Sequence, residues 1–138
     1  MLLWASLDNG LQNVSFLIRI KRFLNDRRLE THSNWRSASG REPVREWLNE
    51  LPLDDRRIVG RDMMKAQFGW PIGLPLCRAL SDGLWEVRSS LPSKREARVL
   101  FGFHDGELIA LHAFIKKTQR TPPEELALAR QRLKEIAS

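Results

Sequence analysis

The sequence predicts a small α+β domain: an N-terminal helical hairpin packed on an antiparallel four-stranded meander, with a C-terminal helix after it. Three observations support this class. Helix-spaced apolar residues bounded by proline and glycine occupy 43–69, four short strand-like segments fill 76–115, and an amphipathic stretch with a Pro-Pro-Glu-Glu start follows at 122–137. A length of 138 residues suits one domain with one core.

The helices are predicted from apolar spacing and from their end signals. Pro43 suits the first position of a helix, and Pro52 ends that first run. Asp54 is predicted to cap the second helix, Gly69 to close it, and Thr121 to cap the last one. The apolar stripes consist of Val44, Trp47, Leu48 and Leu51, of Val59, Met63 and Ala66, and of Leu126, Ala129, Leu133 and Ile136.

The hairpin around Asp105-Gly106 decides which residues share a face of the sheet. A three-residue loop over 104–106 places Gly106 at the left-handed position that such loops need, and we predict this loop rather than a two-residue one. One face of the last two strands is then apolar throughout, and a slip of one residue would spoil it. This face consists of Ala97, Val99, Phe101, Ile109, Leu111, Ala113 and Ile115.

The opposite face is predicted to point a cationic group toward solvent. It carries Arg98, Leu100, Gly102, Ala110, His112, Phe114 and Lys116, and we expect Glu86 and Arg88 of the preceding strand to join it. The small Gly102 and Ala110 would leave a shallow groove. Cleavage of RNA by its own 2′-hydroxyl needs a base, an acid and positive donors for the phosphorane, and phenylalanine can stack an unpaired base. The alternative is a solvated face whose cations pair with acids such as Glu86.

Charge and composition favour a nucleic-acid partner. The net charge is +6 with a pI near 10.2, and residues 88–120 hold seven Lys or Arg against three acids. The single cysteine, Cys77, excludes an internal disulfide and fits a reducing cytosol. The three scattered histidines form no metal-ligand set, so we expect no metal and no cofactor. No apolar run is long enough to span a membrane and no signal-peptide pattern is present, so we expect a cytoplasmic protein.

Four segments resemble, in order and spacing, the phage-derived branch of HigB-like toxins in the RelE/ParE superfamily. They are GREPVREWL at 40–48, LSDGLWEVR at 80–88, ARVLF at 97–101 and LHAFIKKTQRTP at 111–122. The resemblance implies a RelE-like fold for a toxin domain over 35–138, with 1–34 as an N-terminal extension. It also implies the toxin of a type II toxin–antitoxin system, an endoribonuclease that cleaves translated mRNA on the ribosome. A small helix-turn-helix antitoxin would bind and silence it.

The resemblance also implies roles for individual residues. Arg98 resembles the strand arginine that braces the scissile phosphate, and Arg88 and Lys116 are similar to the flanking basic residues. His112 is the candidate acid or base, with simple packing beside Phe114 as its alternative role. Contacts with mRNA or rRNA are expected from Lys117, Phe114, Arg120, Lys94 and Arg95.

Two departures from the family pattern keep other functions open. Relatives often carry tyrosine where Phe101 stands, whereas this chain has no tyrosine. Relatives also begin with an aromatic, β-rich strand, whereas residues 30–39 here are weak strand formers. One alternative is a ParE-like poison of DNA gyrase, which needs no ribonuclease group. The other is a non-catalytic prophage protein that binds RNA or only its antitoxin.

Overall fold

The computed structural model describes residues 33–137, which form a five-stranded sheet with helices on both faces. In chain order the elements are β1 (Ser33–Asn34), α1 (Pro43–Glu50), α2 (Leu53–Phe68), β2 (Cys77–Ser81), β3 (Leu84–Ser90), β4 (Glu96–His104), β5 (Glu107–Ile115) and α3 (Pro123–Ala137). The strand order is β1-β5-β4-β3-β2, with β1 parallel to β5 and every other pair antiparallel. The predicted α+β class, with its antiparallel four-stranded meander, is confirmed.

The N-terminal edge of the sheet is short. Strand β1 consists of two residues that pair with Ile109 and Ala110, and the backbone N–H of Trp35 donates to the carbonyl of Ala110 at 2.8 Å. This brief pairing agrees with the weak strand propensity expected for residues 30–39. Apart from Ser33 and Asn34, the predicted extension over 1–34 lies outside the described residues.

The two faces of the sheet bury separate apolar clusters. The helices α1 and α2 cover one face, and their side chains pack on residues of all four meander strands there. The helix α3 covers part of the other face, where Ala129 packs among buried residues of β3, β4 and β5. The first cluster includes Val44, Val59, Met63, Val99 and Phe101, and the second includes Leu84, Leu100, Leu111 and Phe114. The sheet therefore lies between two hydrophobic cores and contributes residues to both.

The ends of two helices differ from the sequence prediction. The helix α2 begins at Leu53 after Pro52, so Asp54 lies inside its first turn and does not cap it. The hydroxyl of Thr121 does not cap α3, because it donates to Glu86 on the sheet. The guanidinium of Arg56 closes α1 by donating to the carbonyls of Leu48, Asn49 and Leu51 at 3.0–3.1 Å.

The three-residue loop predicted between β4 and β5 is wrong. His104 pairs with Glu107, so the loop is Asp105-Gly106, and both residues have positive φ (53° and 76°) as a type I′ turn requires. A β-bulge in β5 at Leu111 then shifts the register by one residue. Beyond the bulge Val99 pairs with Ala113, so the far halves of the strands keep the predicted apolar face.

The bulge moves the residues near the turn to the other face from the one predicted. Ile109 and Leu111 pack toward α3, and Ala110 belongs to the core under α1 and α2. The groove predicted beside Gly102 is absent, because a Cβ built on Gly102 would lie 2.6 Å from Leu133 of α3. A single extra residue in β5 therefore explains both why the parity argument failed near the turn and why it succeeded beyond it.

The helix α3 is anchored to the sheet at this bulge. Arg132 donates from Nη1 to the carbonyl of Leu111 at 2.7 Å, and its guanidinium lies 4.3 Å from the ring centroid of Trp35. Burial lowers the pKa of Arg132. The indole N–H of Trp35 donates to Glu135 at 3.1 Å, so the start of the domain, the bulge and the end of α3 are connected.

We predict that Arg132→Met destabilises the fold by about 1–3 kcal/mol, because the carbonyl at the bulge loses its donor and finds little water to replace it. Urea denaturation of the variant and the wild type measures this difference. Lys134→Met, at an exposed position of the same helix, is the control and should leave the unfolding midpoint unchanged. Equal midpoints for Arg132→Met and the wild type would contradict this anchoring role.

Candidate functional site

Two arginines lie side by side on the sheet face that α3 partly covers. Arg88 of β3 pairs directly with Arg98 of β4, and Arg98 pairs with Phe114 of β5, so all three side chains project from one face. Glu86 and His112 flank Leu100 in the adjacent row. The prediction that Glu86 and Arg88 share the face of Arg98 is confirmed. We call this face the arginine face.

The carboxylate of Glu86 holds this group together. Its Oε2 lies 3.9 Å from Nε of Arg98 and 4.0 Å from Nε of Arg88, and its Oε1 accepts the hydroxyl of Thr121 at 3.1 Å. Arg98 also donates from Nη1 to the carbonyl of Ala97 at 3.0 Å. Its Nη1 lies 3.5 Å from a carboxylate oxygen of Glu96. The segment between β5 and α3 thus folds back onto the sheet at Glu86.

The prediction that Arg98 points outward into solvent is wrong. The side chain of Arg98 is 4% exposed and that of Glu86 is 3% exposed, whereas one third of Arg88 is accessible. The physical reason is that the residues before α3 return to the sheet and that two carboxylates accompany the guanidinium. The accessible part of the arginine face is therefore Arg88, with Arg98 just beneath the surface.

His112 is connected to the first turns of α3. Its Nε2 lies 2.7 Å from Oε1 of Glu125, and its ring stacks on Phe114 with centroids 5.8 Å apart and an interplanar angle of 28°. Phe114 itself is 9% exposed. This is the packed arrangement that was the alternative to an acid–base role, and it leaves Phe114 no open face for a base while α3 is in place.

The basic residues after β5 remain accessible to different degrees. Lys116 is half-buried, and its backbone N–H donates to the carbonyl of Glu96 at 2.7 Å. Lys117 and Arg120 are exposed, and the carbonyl of Arg120 accepts the hydroxyl of Thr118 at 2.6 Å. These three cations lie at the edge of the arginine face or follow it in the chain.

The loop between β3 and β4 carries Lys94 and Arg95 at the same end of the sheet. Asp55 of α2, 1% exposed, accepts the backbone N–H of Ser93 and the guanidinium of Arg95, both at 3.2 Å. These contacts, led by the one from Ser93, lower the pKa of Asp55. Arg95 is therefore engaged with α2, whereas Lys94 is exposed at the tip of the turn with φ of +65°.

Sequence reasoning placed Glu86 on this face, from its alternation with Arg88, but gave it no role beyond that of a partner for surface cations. It missed Thr121 and Glu125 as site residues, because both were considered only as helix-start residues. No sequence pattern indicated that Thr121 and Glu125 would return to that face, because both contacts bridge separate elements.

Neither a metal cluster nor a membrane segment is found in the described part of the chain. Within residues 33–137, no three His, Cys, Asp or Glu side chains are grouped so that they could share a metal ion. Over the same residues no helix is both long enough and apolar enough to cross a bilayer. The chemistry on the arginine face is that of guanidinium, imidazole and carboxylate groups.

The fold and this face define a small α+β protein with paired arginines on a sheet face under its C-terminal helix. Residues 46–134 match the family described as phage-derived protein Gp49-like (DUF891). Because the match covers well over half of the chain, the protein belongs to this family, which is a family of RelE/HigB-like toxins. A comparison with curated proteins found no match.

We predict that Asp55→Asn lowers the thermal midpoint at pH 7, because the loop that carries Lys94 and Arg95 loses its charged anchor. The folded-state pKa of Asp55 is depressed, so its stabilisation is present above the unfolded value near 4 and is lost as pH falls through the folded value. The difference in thermal midpoint between variant and wild type should therefore be smaller in melts recorded well below pH 4. Asp54→Asn, exposed one position earlier, serves as the control. A gap that stays constant with pH would argue against this anchor.

Proposed function

We propose that the protein is the toxin of a type II toxin–antitoxin system and acts as a HigB-like, ribosome-dependent mRNA endoribonuclease in the cytoplasm. The observation that carries the proposal is the direct pairing of Arg88 with Arg98 on one sheet face, next to Phe114 and followed by Lys116. Family membership supports the toxin class. A helix-turn-helix antitoxin would be its partner, and ribosome-bound mRNA its substrate.

The proposed reaction is attack by the RNA's own 2′-hydroxyl on the adjacent phosphorus. The new bond joins the 2′-oxygen to phosphorus, the bond from phosphorus to the 5′-oxygen breaks, and a 2′,3′-cyclic phosphate and a 5′-hydroxyl result. Negative charge grows on the non-bridging oxygens of the phosphorane. The guanidinium groups of Arg98 and Arg88 offer planar, paired donors for those oxygens.

Binding of a phosphate in this way requires an exchange of partners. The carboxylate of Glu86 lies 3.9–4.0 Å from Nε of both arginines and balances only one of their two charges, so a phosphate group that contacts both must compete with it. Since both anions accept hydrogen bonds from guanidinium, the exchange preserves the pairing of the arginines. The face that binds RNA is thus preformed and filled by an internal anion.

His112 is the proposed acid or base. It would accept the proton of the 2′-hydroxyl or deliver one to the 5′-oxygen, the two roles that general acid–base catalysis requires here. Its contact with Glu125 orients the ring from α3. Phe114, stacked on that ring, becomes available to an unpaired base only when the start of α3 moves away.

A second candidate is a non-catalytic protein that binds RNA or only its antitoxin. The observation that favours it is the burial of Arg98 between Glu86 and Glu96. In that case the arginine face would be a structural ion-pair network, and the exposed Lys117 and Arg120 would carry any contact with RNA.

We predict that expression of the chain arrests bacterial growth and that Arg98→Ala relieves the arrest. Loss of one donor to the phosphorane should lower cleavage about 100-fold or more, by analogy with loss of an oxyanion-hole donor. Primer extension on translated messages measures the cuts, which should be missing from free RNA.

Two variants make this experiment decisive. Arg98→Lys keeps the charge next to Glu86 but loses the planar fork, so it should fold and still be impaired. Arg41→Ala, at a 72% exposed position paired with Glu46, should remain fully toxic. Unimpaired growth with the wild-type chain would favour the non-catalytic candidate, and cleaved gyrase–DNA complexes without mRNA cuts would favour gyrase poisoning.

We also predict that inorganic phosphate stabilises Glu86→Gln more than it stabilises the wild type. The amide keeps an acceptor for Thr121 but leaves Arg98 without its buried counter-charge, with only the more exposed Glu96 nearby, and a bound phosphate can supply the missing charge. At a tenfold excess over its Kd, phosphate should add about 1.4 kcal/mol to the variant. Thermal melts with increasing phosphate at constant ionic strength measure the effect.

The matched control for this experiment is Glu46→Gln, which removes the exposed carboxylate from Arg41. It should respond to phosphate as the wild type does. If Glu86→Gln shows the same phosphate response as this control, the arginine face is not a phosphate site.

A further inference from the structure

We propose that the outer face of α2 is a second contact surface for the RNA backbone, separate from the arginine face. The surface consists of Arg57, Arg61 and Lys65, which we call the α2 stripe. The three residues follow one another at intervals of four, so they form one row along the helix with a rise of about 6 Å per step. All three are exposed.

The α2 stripe points directly away from the sheet. The inward side of α2 carries Asp55, Val59, Met63 and Ala66, which are buried against the core or the β3–β4 loop. At 100° per residue, the stripe lies on the opposite side of the helix from this row. The arginine face belongs to the other side of the sheet, so neither its residues nor α3 can reach the stripe.

The charges of the stripe are not neutralised by ion pairs within residues 33–137. The nearest carboxylate in sequence, Asp62, is turned inward and accepts the hydroxyl of Ser89 at 2.7 Å. Arg36 and Arg41, which are also exposed, are each paired with a glutamate. The charges of Arg61 and Lys65 act on the carboxylate of Asp62, and the exposed Asp54 lies one turn before Arg57. The stripe is therefore a solvated row of cations that a polyanion can contact.

The stripe is connected to the arginine face around one end of the sheet. Asp55, one helical turn before Val59, holds the β3–β4 loop through Ser93 and Arg95. The exposed Lys94 lies at the tip of that loop, next to the end of β3 and the start of β4, where Arg88 pairs with Arg98. Lys94 therefore lies on a loop that contacts the start of α2 and joins the two strands that carry Arg88 and Arg98.

The composition of the stripe favours a nucleic-acid backbone over a protein partner. Protein interfaces are usually centred on buried aromatic or aliphatic anchors. In the described part of the chain the exposed large apolar side chains are Leu53 and Leu74, and only Leu53, four residues before Arg57, adjoins the stripe. Three regularly spaced cations with a single leucine at one end fit successive phosphates better than an apolar protein interface.

This inference rests on the proposed function, since it takes RNA as the ligand. The test is therefore a binding measurement that does not need cleavage. Fluorescence anisotropy of the full chain with a 2′-O-methylated single-stranded RNA, which lacks the attacking hydroxyl, gives the affinity at a series of salt concentrations. The triple variant Arg57→Gln, Arg61→Gln, Lys65→Gln should bind more weakly, and its slope of log K against log salt should be shallower by about 2, or 0.7 per lost phosphate contact.

The matched control is Arg36→Gln, Arg41→Gln, Lys134→Gln, which removes three positive charges from exposed positions elsewhere. Its slope should equal that of the wild type. Three results would overturn the proposal: the stripe variant keeps the wild-type slope, both triple variants show the same reduction in slope, or the wild type does not bind the RNA. A stripe-dependent slope without any mRNA cleavage would instead leave the second surface standing and refute the nuclease.

Discussion

The arrangement of the arginine face depends on one buried carboxylate, Glu86. It accompanies two guanidinium groups and accepts the hydroxyl of Thr121, so β3, β4 and the segment before α3 meet at its two oxygens. A guanidinium as buried as that of Arg98 needs a counter-anion, and breaking such a pair commonly costs about 3–5 kcal/mol. Glu86 therefore makes it possible for the buried Arg98 to lie next to the partly exposed Arg88.

The same carboxylate gives the site its functional character. A phosphate group presents oxygens of the same kind, so the pair formed by Glu86 and Arg98 resembles the contact that a bound RNA would make. In the proposed reaction RNA would compete with this internal anion, and Glu125 would leave His112 before Phe114 becomes accessible. Under the proposal, RNA binding and the position of α3 are coupled through a few side chains at the start of one helix.

The bulge at Leu111 shows how far register can be predicted from a pattern. The common face of Val99 and Ala113 and the common face of Arg88, Arg98 and Phe114 followed from alternation alone, because side chains of a strand project to opposite faces in turn. The turn itself was mispredicted, since an Asp-Gly type I′ loop and a fully apolar face seemed incompatible. The extra residue, Leu111, allows the two-residue turn and the apolar face beyond it to exist together. Its carbonyl accepts a hydrogen bond from Arg132 of α3, which is 21 residues away in sequence.

Local sequence determined the helices, the four strands and the placement of the two arginines on one face, because helical and strand periodicities act over a few residues. Only the tertiary structure determined which residues cover that face. The contacts from Thr121 to Glu86 and from Glu125 to His112 join residues 35 and 13 positions apart, and they depend on the path of the chain between β5 and α3. No local preference encodes that path, since it results from α3 burying its apolar stripe against Leu100 and Leu111.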